Sequence, residues 1–430
     1  MKTYLVGGAV RDKLLGYPIK ERDWVVVGAT PEQLIKQGYQ KVGRDFPVFL
    51  HPNSREEYAL ARTERKHGNG YYGFECDFNP NVSLEDDLIR RDLTINAMAM
   101  DNDGQLIDPY GGQDDLSAKL LRHVSPAFVD DPVRVLRLAR FAARYYHLGF
   151  RIAEETYVLM RQMVQKKELD HLIAERVWQE WYRSLEEKHP EIFLSVLRAC
   201  GALRVILPEL DQLYGVPSWR RYHAEVDTGV HMLMVLSTAV RLSDDPMVRF
   251  AATVHDLGKG KTPMQGWPAQ QGHEELGLEV IEQLCQRLRI PQRYRQFALL
   301  VSKLHLTIHR LSELRPHTIV ELLNRADAFR RPEQFEKLLL ACESDSRGRG
   351  LLGSFPEIPW LFPSSGEANS LSCAMAYQQA QHWRVLLNEC SKIKAESFVA
   401  QGYKGPAIQQ ALNDERAHCV ERIKNQLGIL

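Results

Sequence analysis

The chain has no excess of charge of either sign, no long apolar run and no paired cysteines. Its 55 Lys plus Arg balance 55 Asp plus Glu, so any surface for a polyanion has to be local. No stretch approaches the roughly 18 apolar residues of a membrane-spanning helix, and the first apolar run stops at Gly7, so no signal peptide is expected. The seven cysteines are scattered and form no Cys-x-x-Cys motif, which indicates a protein of the reducing cytoplasm.

The remaining composition is that of an ordinary globular protein, and 430 residues are enough for roughly three domains. The first ~120 residues alternate short β-branched or aromatic runs with Gly, Pro and Asn, whereas the rest follows helical periods. We therefore predict an α+β fold that begins with a small mixed sheet and helices. The expected parts are a head at 1–140, a helical neck and body at 141–227, a third domain at 228–330 and a helical tail at 331–430.

Local patterns predict the elements of the head. Strands are expected at 3–6, 24–27, 47–50, 57–62 and 105–107. Ser83 followed by Asp86 predicts a helix start, and apolar residues continue a helical face from there to Ala99. A longer helix is expected after Pro132, where an apolar stripe lies opposite a row of arginines.

Two carboxylates lie close in sequence to a pair of glycines. Gly7 and Gly8 follow a predicted strand and precede a predicted helix, so their backbone N–H groups can face a phosphate chain. Glu21 and Asp23 stand two residues apart on an extended segment, so both side chains project from one face. Paired carboxylates favour Mg²⁺ and phosphoryl transfer. The alternatives are a plain glycine turn and a solvated charged turn.

A third carboxylate often completes such a site. Glu57 lies on the predicted strand at 57–62, and Glu64 follows just after it. The sequence leaves both residues open as the third carboxylate.

Arginines accumulate after Pro132 without acidic neighbours. Between Pro132 and Ala153 there is no Asp or Glu, and the five arginines are Arg134, Arg137, Arg140, Arg144 and Arg151. Spacings of three and four residues place most of them near one helical face. Their uncompensated charge predicts a bound anion, because planar guanidinium groups grip phosphate oxygens in pairs. The alternative is a solvated basic face.

Histidines and aspartates recur in the helical half of the chain. The candidates are His231, His255, Asp256, His273, His305 and Asp327. Neutral imidazoles together with carboxylates suit a divalent transition metal, whose bound water can attack a phosphoester. The alternative is a set of ordinary core or surface histidines. We predict a metal site made by these six residues.

Five ordered motifs span residues 7 to 140. They are GGAVRD at 7–12, Glu21-x-Asp23, RRDLTINA at 90–97, DPYGG at 108–112 and DPVRVLR at 131–137. Together they resemble the bacterial class II CCA-adding enzymes, and the rest of the chain resembles the longer form with an added HD phosphohydrolase domain. The resemblance implies a polymerase-β-like nucleotidyltransferase head. Such enzymes add C, C and A to the 3′ end of tRNA from CTP and ATP without a nucleic-acid template, in tRNA maturation and repair.

The resemblance implies roles for individual residues of the head. Gly8 and Arg11 would contact the nucleotide, and Glu21 and Asp23 would be the catalytic residues that hold Mg²⁺. The triphosphate would be held by Arg91, Arg137 and Arg140. Family members often have Asp at the first metal position, and the longer Glu21 keeps its charge but changes the geometry of ion binding.

The same resemblance makes Asp131 and Arg134 a protein template. A carboxylate accepts and a guanidinium donates, so the pair can read the Watson–Crick edge of cytosine or adenine. GTP and UTP would leave polar groups unpaired. The alternative is a helix N-terminal cap with an intrahelical salt bridge.

The histidine cluster resembles that of HD phosphohydrolases. The resemblance implies phosphatase, 2′-nucleotidase and 2′,3′-cyclic phosphodiesterase activities that depend on a divalent transition metal such as Ni²⁺. Leu306 follows His305 where related enzymes are expected to have Asp, and this departure weakens the expected metal centre.

Three other functions compete with CCA addition. A poly(A) polymerase shares the head motifs, but the HD domain argues against it. The intact Glu21, Asp23 and Arg91 argue against a metal-dependent phosphohydrolase whose head only binds RNA. A non-catalytic tRNA-binding module would not need either acidic cluster. The expected partners are tRNA, ATP and CTP, with no membrane, and the chain is expected to act as a monomer or a homodimer.

Overall fold

A computed structural model describes residues 1–19, 21–42, 48–66, 74–218, 227–349 and 377–429. These residues form two compact units, of which the first runs from Met1 to Ile206 and the second begins at Leu207. The predicted division at 140, 227 and 330 is finer than these units and stays a prediction.

Strands are confined to the first unit within the described residues. They are β1 (Lys2–Val6), β2 (Asp23–Val27), β3 (Gln40–Val42), β4 (Val48–Leu50), β5 (Glu57–Leu60), β6 (Thr63–Lys66), β7 (Phe74–Asp77), β8 (Ala99–Met100), β9 (Leu106–Ile107), β10 (Leu120–Leu121) and β11 (Arg151–Ile152). The main sheet has the order β3-β4-β5-β2-β1-β8-β9 and is mixed, because β2 pairs antiparallel with β1 and parallel with β5. The predicted head with a small mixed sheet is confirmed.

Alternation along β2 decides what each face of the sheet contacts. Val25 is buried with Val6 against the helix that begins at Leu84, whereas Val26 is buried with Phe49 on the opposite face. Because side chains two apart on a strand share a face, Asp23 lies on the same face as Val25.

The helices of the first unit follow and cover the sheet. They are α1 (Gly8–Leu14), α2 (Pro31–Lys36), α3 (Leu84–Ile89), α4 (Gly112–Ala118), α5 (Val133–Tyr145), α6 (Glu154–Gln165), α7 (Ala174–Leu185), α8 (Pro190–Ala199) and α9 (Ala202–Ile206). The apolar stripe predicted for α5 is buried and packs against α7 and α8.

The structure confirms the start of α3 and corrects its end. Ser83 and Asp86 form a capping box, with each side chain bonded to the other residue's backbone N–H. The helix ends at Ile89 and does not continue to Ala99. Beyond it, Leu93 bridges to His123 and the chain forms a short 3₁₀ helix at Thr94–Asn96 before β8. This segment is buried throughout, so its apolar residues do not mark one helical face.

The second unit is helical throughout its described residues. Its helices are α10 (Pro208–Asp211), α11 (Thr228–Leu242), α12 (Pro246–Val254), α13 (His273–Arg287), α14 (Gln292–His309), α15 (Pro316–Arg325), α16 (Pro332–Arg347), α17 (Gln378–Ser391), α18 (Glu396–Ala400) and α19 (Pro406–Leu427). Helices α11, α12, α14 and α16 pack against one another, while α17 contacts α16 and α19. Among the described residues, no helix combines the length and apolar character that a membrane crossing requires.

A close backbone approach in the second unit requires glycine. The 3₁₀ helix Leu257–Lys261 packs against α13, and a Cβ on Gly258 would overlap the backbone carbonyl of His273 and lie 2.5 Å from the nitrogen of Gly277. We expect Gly258→Ala to destabilise this unit by about 3 kcal/mol, because overpacking against backbone cannot be relieved by a side-chain rotation. Thermal unfolding measures the shift.

The matched control is Gly266→Ala, since no described atom lies within 4 Å of its added Cβ and its φ is not positive. Equal melting temperatures for the two variants would contradict the packing argument.

Candidate functional site

The glycine pair brings two guanidinium groups close to the backbone at the start of α1. Gly7 has a φ of 64°, and a Cβ there would lie 2.8 Å from Nη1 of Arg91. A Cβ on Gly8 would lie 3.4 Å from Nη2 of Arg11. A side chain at Gly7 would therefore be strained and would displace Arg91.

The predicted catalytic carboxylates lie at the start of β2. Asp23 pairs in register with Glu57 of the parallel strand β5, so their side chains lie on one face of the sheet. Burial raises the pKa of Asp23, Arg91 lowers it and Glu21 raises it, with a net upward shift. Carboxylate oxygens are the donors that Mg²⁺ prefers, and a bound cation would favour the charged form of Asp23, so the residues present fit this ion.

The register also bears on the third carboxylate. Glu57 lies directly beside Asp23, which favours Glu57 for this role. The side chain of Glu64 lies outside the described residues.

Asp87 on α3 holds both arginines of the RRD motif. Its carboxylate is fully buried, with 2.6 Å to Nη2 of Arg90 and 3.1 Å to Nη2 of Arg91. Sequence reasoning did not single out Asp87. Its spacing of three and four residues before the arginine pair is the signal that identifies it.

Arg11 joins α1 to α5. Its guanidinium is buried, lies 2.9 Å from Oδ1 of Asp12 and donates to the side chain of Asn96. It also lies over the rings of Phe141 and Tyr145, at 5.2 and 5.4 Å from their centroids. These contacts fix the guanidinium of Arg11 between the Gly7–Gly8 pair and α5.

Arg137, Arg140 and Arg144 of α5 have acidic partners, which corrects the inference that the charge of this helix is uncompensated. Nη2 of Arg137 lies 2.8 Å from Asp92, and Nε of Arg140 lies 2.7 Å from Glu180 on α7. Burial raises the pKa of Asp92, but Arg137 and a hydrogen bond from Asn96 outweigh it and hold that pKa well below its usual range. The acids come from elements distant in sequence, so the local absence of Asp and Glu did not predict their absence from the fold.

The proposed template residues are held by separate partners. Asp131 precedes α5 and receives two hydrogen bonds from Arg176 of α7, at 3.0 and 2.7 Å. Arg134 donates to the backbone carbonyls of Ala127 and Arg90, at 2.6 Å each. These hydrogen bonds fix the orientation of both side chains at the N-terminal end of α5.

Five of the six predicted metal ligands converge in the second unit. They are His231, His255, Asp256, His273 and His305, and all are buried. Nε2 of His273 lies 3.2 Å and Nε2 of His305 lies 3.6 Å from Oδ1 of Asp256. These ligands come from four different elements, namely α11, the segment after α12, α13 and α14.

The structure does not bring the sixth predicted ligand, Asp327, to this cluster. Asp327 follows α15 in a turn with φ 54°, its side chain is 37% exposed, and it pairs with Arg330 and Arg331. Asp345 of α16 takes its place, with Oδ1 3.0 Å from Nε2 of His231. Sequence reasoning missed Asp345 because the predicted domain ended at 330, whereas α16 completes the packing around α11 and α14.

The donor geometry fits a metal ion. Two groups have ligand atoms within 4.8 Å of one another: His231 with His255 and Asp345, and His255 with Asp256 and His305. Nε2 of His255 and Oδ1 of Asp256 are buried and find no hydrogen-bond partner among the described residues. Polar atoms left this way cost stability unless something binds them.

In three of these imidazoles, Nδ1 carries a proton. Nδ1 of His255, His273 and His305 each donates at 2.8 Å to the backbone carbonyl three residues earlier. A neutral ring that donates from Nδ1 presents the lone pair of Nε2 to the centre, as a metal ligand does. Burial lowers the pKa of His305 to about 3, which keeps it neutral. Leu306 follows His305 without contributing a ligand atom, and the carboxylates come from Asp256 and Asp345.

Three parts of the chain match known protein families. Residues 3–122 match the family described as "Poly A polymerase head domain", residues 149–214 match "Probable RNA and SrmB- binding site of polymerase A", and residues 228–331 match "HD domain". The chain is similar to a tRNA-bound CCA-adding enzyme of Thermotoga maritima, with a TM-score of 0.59 and 22% identity over 99% of this chain and 91% of that one. That likeness shows the fold.

Two curated relatives match along nearly the whole chain. The multifunctional CCA protein of Legionella pneumophila (strain Philadelphia 1) is 60% identical over 98% of both chains. That of Vibrio cholerae (strain ATCC 39541) is 54% identical over 98% of this chain and 100% of its own. The predicted resemblance is confirmed, and the chain belongs to the family of multifunctional CCA proteins.

Proposed function

We propose that the first unit adds C, C and A to the 3′ end of tRNA from CTP and ATP. The observation that carries this proposal is the placement of Asp23 and Glu57 side by side in register, with Arg91 close enough to lower the pKa of Asp23. Acidic groups beside a fixed guanidinium suit a reaction that brings a hydroxyl to a nucleoside triphosphate.

The residues divide the reaction between them. The oxygen of the tRNA 3′-hydroxyl forms a bond to the α-phosphorus, and the hydroxyl proton passes to solvent water. The bond from the α-phosphorus to the bridging oxygen breaks, and pyrophosphate leaves with that electron pair. Arg91, Arg137 and Arg140 bind the triphosphate, and Gly8 with Arg11 positions the nucleotide. Mg²⁺ held by Glu21 and Asp23, with Glu57, would neutralise charge on the phosphates.

Asp131 and Arg134 select the base. The carboxylate accepts from the exocyclic amine of C or A, and the guanidinium donates to a ring nitrogen. Arg176 fixes the carboxylate and the carbonyls of Ala127 and Arg90 fix the guanidinium, so neither can rotate to suit G or U. Rigid donors and acceptors discriminate because a wrong base leaves them unpaired.

We expect Asp131→Ala to lower the preference for CTP and ATP over GTP and UTP by about tenfold or more, since an unpaired buried polar group costs ~1 to 3 kcal/mol. Single-nucleotide incorporation, measured as kcat/KM for each of the four nucleotides, checks this. Asp114→Ala, at an exposed position on α4, is the matched control. An unchanged preference in Asp131→Ala would contradict the template role.

The test of addition is the 3′-end sequence of a tRNA transcript lacking CCA, incubated with the protein, Mg²⁺ and all four nucleotides. We expect products that end in CCA and grow no further. A long A tail would show a poly(A) polymerase, the alternative that shares the head motifs. An unextended end would overturn the proposal.

We further propose that the second unit is a metal-dependent phosphohydrolase. The buried set of Asp256, Asp345 and the Nε2 atoms of His231, His255 and His305 supports this activity. A divalent transition metal such as Ni²⁺ suits these imidazole and carboxylate donors and would supply the hydrolytic water. The proposed substrates are 2′,3′-cyclic phosphates, 2′-nucleotides and phosphate monoesters at damaged tRNA ends.

A further inference from the structure

Two residues, His309 and Tyr377, connect the last part of the chain, residues 377–429 (below, the tail), to the proposed metal ligand Asp345. Nε2 of His309, at the end of α14, lies 2.7 Å from Oδ2 of Asp345, and Nδ1 of His309 lies 2.8 Å from the hydroxyl of Tyr377. A carboxylate only accepts, so Nε2–H of a neutral His309 donates to Asp345. Its Nδ1 then accepts from the hydroxyl of Tyr377, which immediately precedes α17.

The tail is held firmly where this connection forms. Nε1 of Trp383 on α17 donates at 3.0 Å to the backbone carbonyl of Ile308, next to His309. The Trp383 ring is fully buried and packs edge-on against Phe335 of α16. The same two helices, α14 and α16, carry His305 and Asp345, so the position of Tyr377 is fixed relative to the metal ligands.

The carboxylate of Asp345 has competing partners. Oδ1 lies 3.0 Å from His231, on the side of the metal ligands, whereas Nη2 of Arg349 reaches both carboxylate oxygens at 3.2 and 3.0 Å. His309 contacts Oδ2 alone. With Arg349 bonded to both oxygens, the contact of His309 with Oδ2 distinguishes that oxygen from Oδ1, which faces His231.

We propose that His309 and Tyr377 are positioning residues for Asp345, so that the tail sets the metal affinity of the second unit. The inference deepens the proposed phosphohydrolase function and rests on it. Hydrogen bonds to a metal-ligating carboxylate fix its orientation, and their loss typically lowers metal affinity about 10- to 100-fold. Tyr377 acts on Asp345 only through His309, so we place the loss of metal affinity on its removal at the lower end of that range, about tenfold.

The test measures Co²⁺ affinity and the Co²⁺ visible absorption spectrum of the full chain, in excess Mg²⁺ to occupy the first unit. We expect Tyr377→Phe to weaken Co²⁺ binding about tenfold and to alter the spectrum. Tyr403→Phe is the matched control, since Tyr403 lies in the same tail and is 43% exposed. Melting temperatures near that of the parent chain exclude unfolding as the cause.

A second pair of variants tests the hydrogen bond itself. The amide of Gln can replace Nε2–H of the imidazole, so we expect His309→Gln to retain more Co²⁺ affinity than His309→Ala. Equal affinity in the parent chain, Tyr377→Phe and His309→Ala would overturn the positioning role and leave the metal centre standing. Equal losses of Co²⁺ affinity in His309→Gln and His309→Ala would also overturn the positioning role. Absence of Co²⁺ binding in the parent chain would instead remove the phosphohydrolase proposal, and this inference with it.

Discussion

We expect an Asp23→Ala variant to bind tRNA like the parent chain and to add no nucleotide to it. Burial raises the pKa of Asp23, so a bound cation would stabilise its charged form. Metal ions at phosphoryl-transfer sites stabilise the transition state by several kcal/mol, so the rate falls by about a thousandfold or more. Primer extension measures addition, and a filter or gel-shift assay measures tRNA binding.

The control for this variant is Asp103→Ala, in the exposed turn between β8 and β9. Addition by Asp23→Ala at a rate near that of the control would refute the catalytic role of Asp23. Loss of tRNA binding together with addition would show that the substitution disrupts the head.

The second large effect is expected from His255→Ala. His255 belongs to both ligand groups, with Asp345 in one and Asp256 in the other, so its removal takes a donor atom from each group. We expect the variant to lose its bound transition metal and its activity on 2′,3′-cyclic phosphates. Metal analysis of the purified chain and release of the opened phosphate are the two measurements.

His317→Ala is the matched control, because His317 lies in the same unit with a side chain that is 70% exposed. If His255→Ala and His317→Ala have the same metal content and the same cyclic phosphodiesterase activity, the cluster is a structural core of histidines. Their loss in the control as well would show nonspecific damage to the unit.

Short-range patterns predicted much of the fold. The strand at Asp23–Val27, the capping box at Ser83 and the buried stripe of α5 all depend on neighbours within a few residues. The helical expectation beyond Ile89 was wrong because a bridge from Leu93 to His123 is a long-range contact. In this segment the long-range pairing, and not the helical spacing of the apolar residues, decides the backbone conformation.

The candidate sites show the same limit. Motifs found the residues of the first unit but not their partners, since Arg140 pairs with Glu180, which is distant in sequence. In the second unit the four predicted histidines do cluster with Asp256, whereas Asp327 lies outside the cluster and Asp345, which was not predicted, lies in it. A buried carboxylate on a helix has no distinctive spacing, and only the packing of α16 against α11 and α14 reveals it.

The position of Asp345 decides how long a segment must be to contain the whole buried cluster of histidines and aspartates. The recognised HD domain ends at residue 331, before α16 begins at Pro332. A fragment cut there would carry four clustered imidazoles with Asp256 as their nearest carboxylate, and it would lack the carboxylate that contacts His231. Grafting this centre onto another protein, in evolution or in the laboratory, therefore requires α16 and, for the contact with His309, Tyr377 as well.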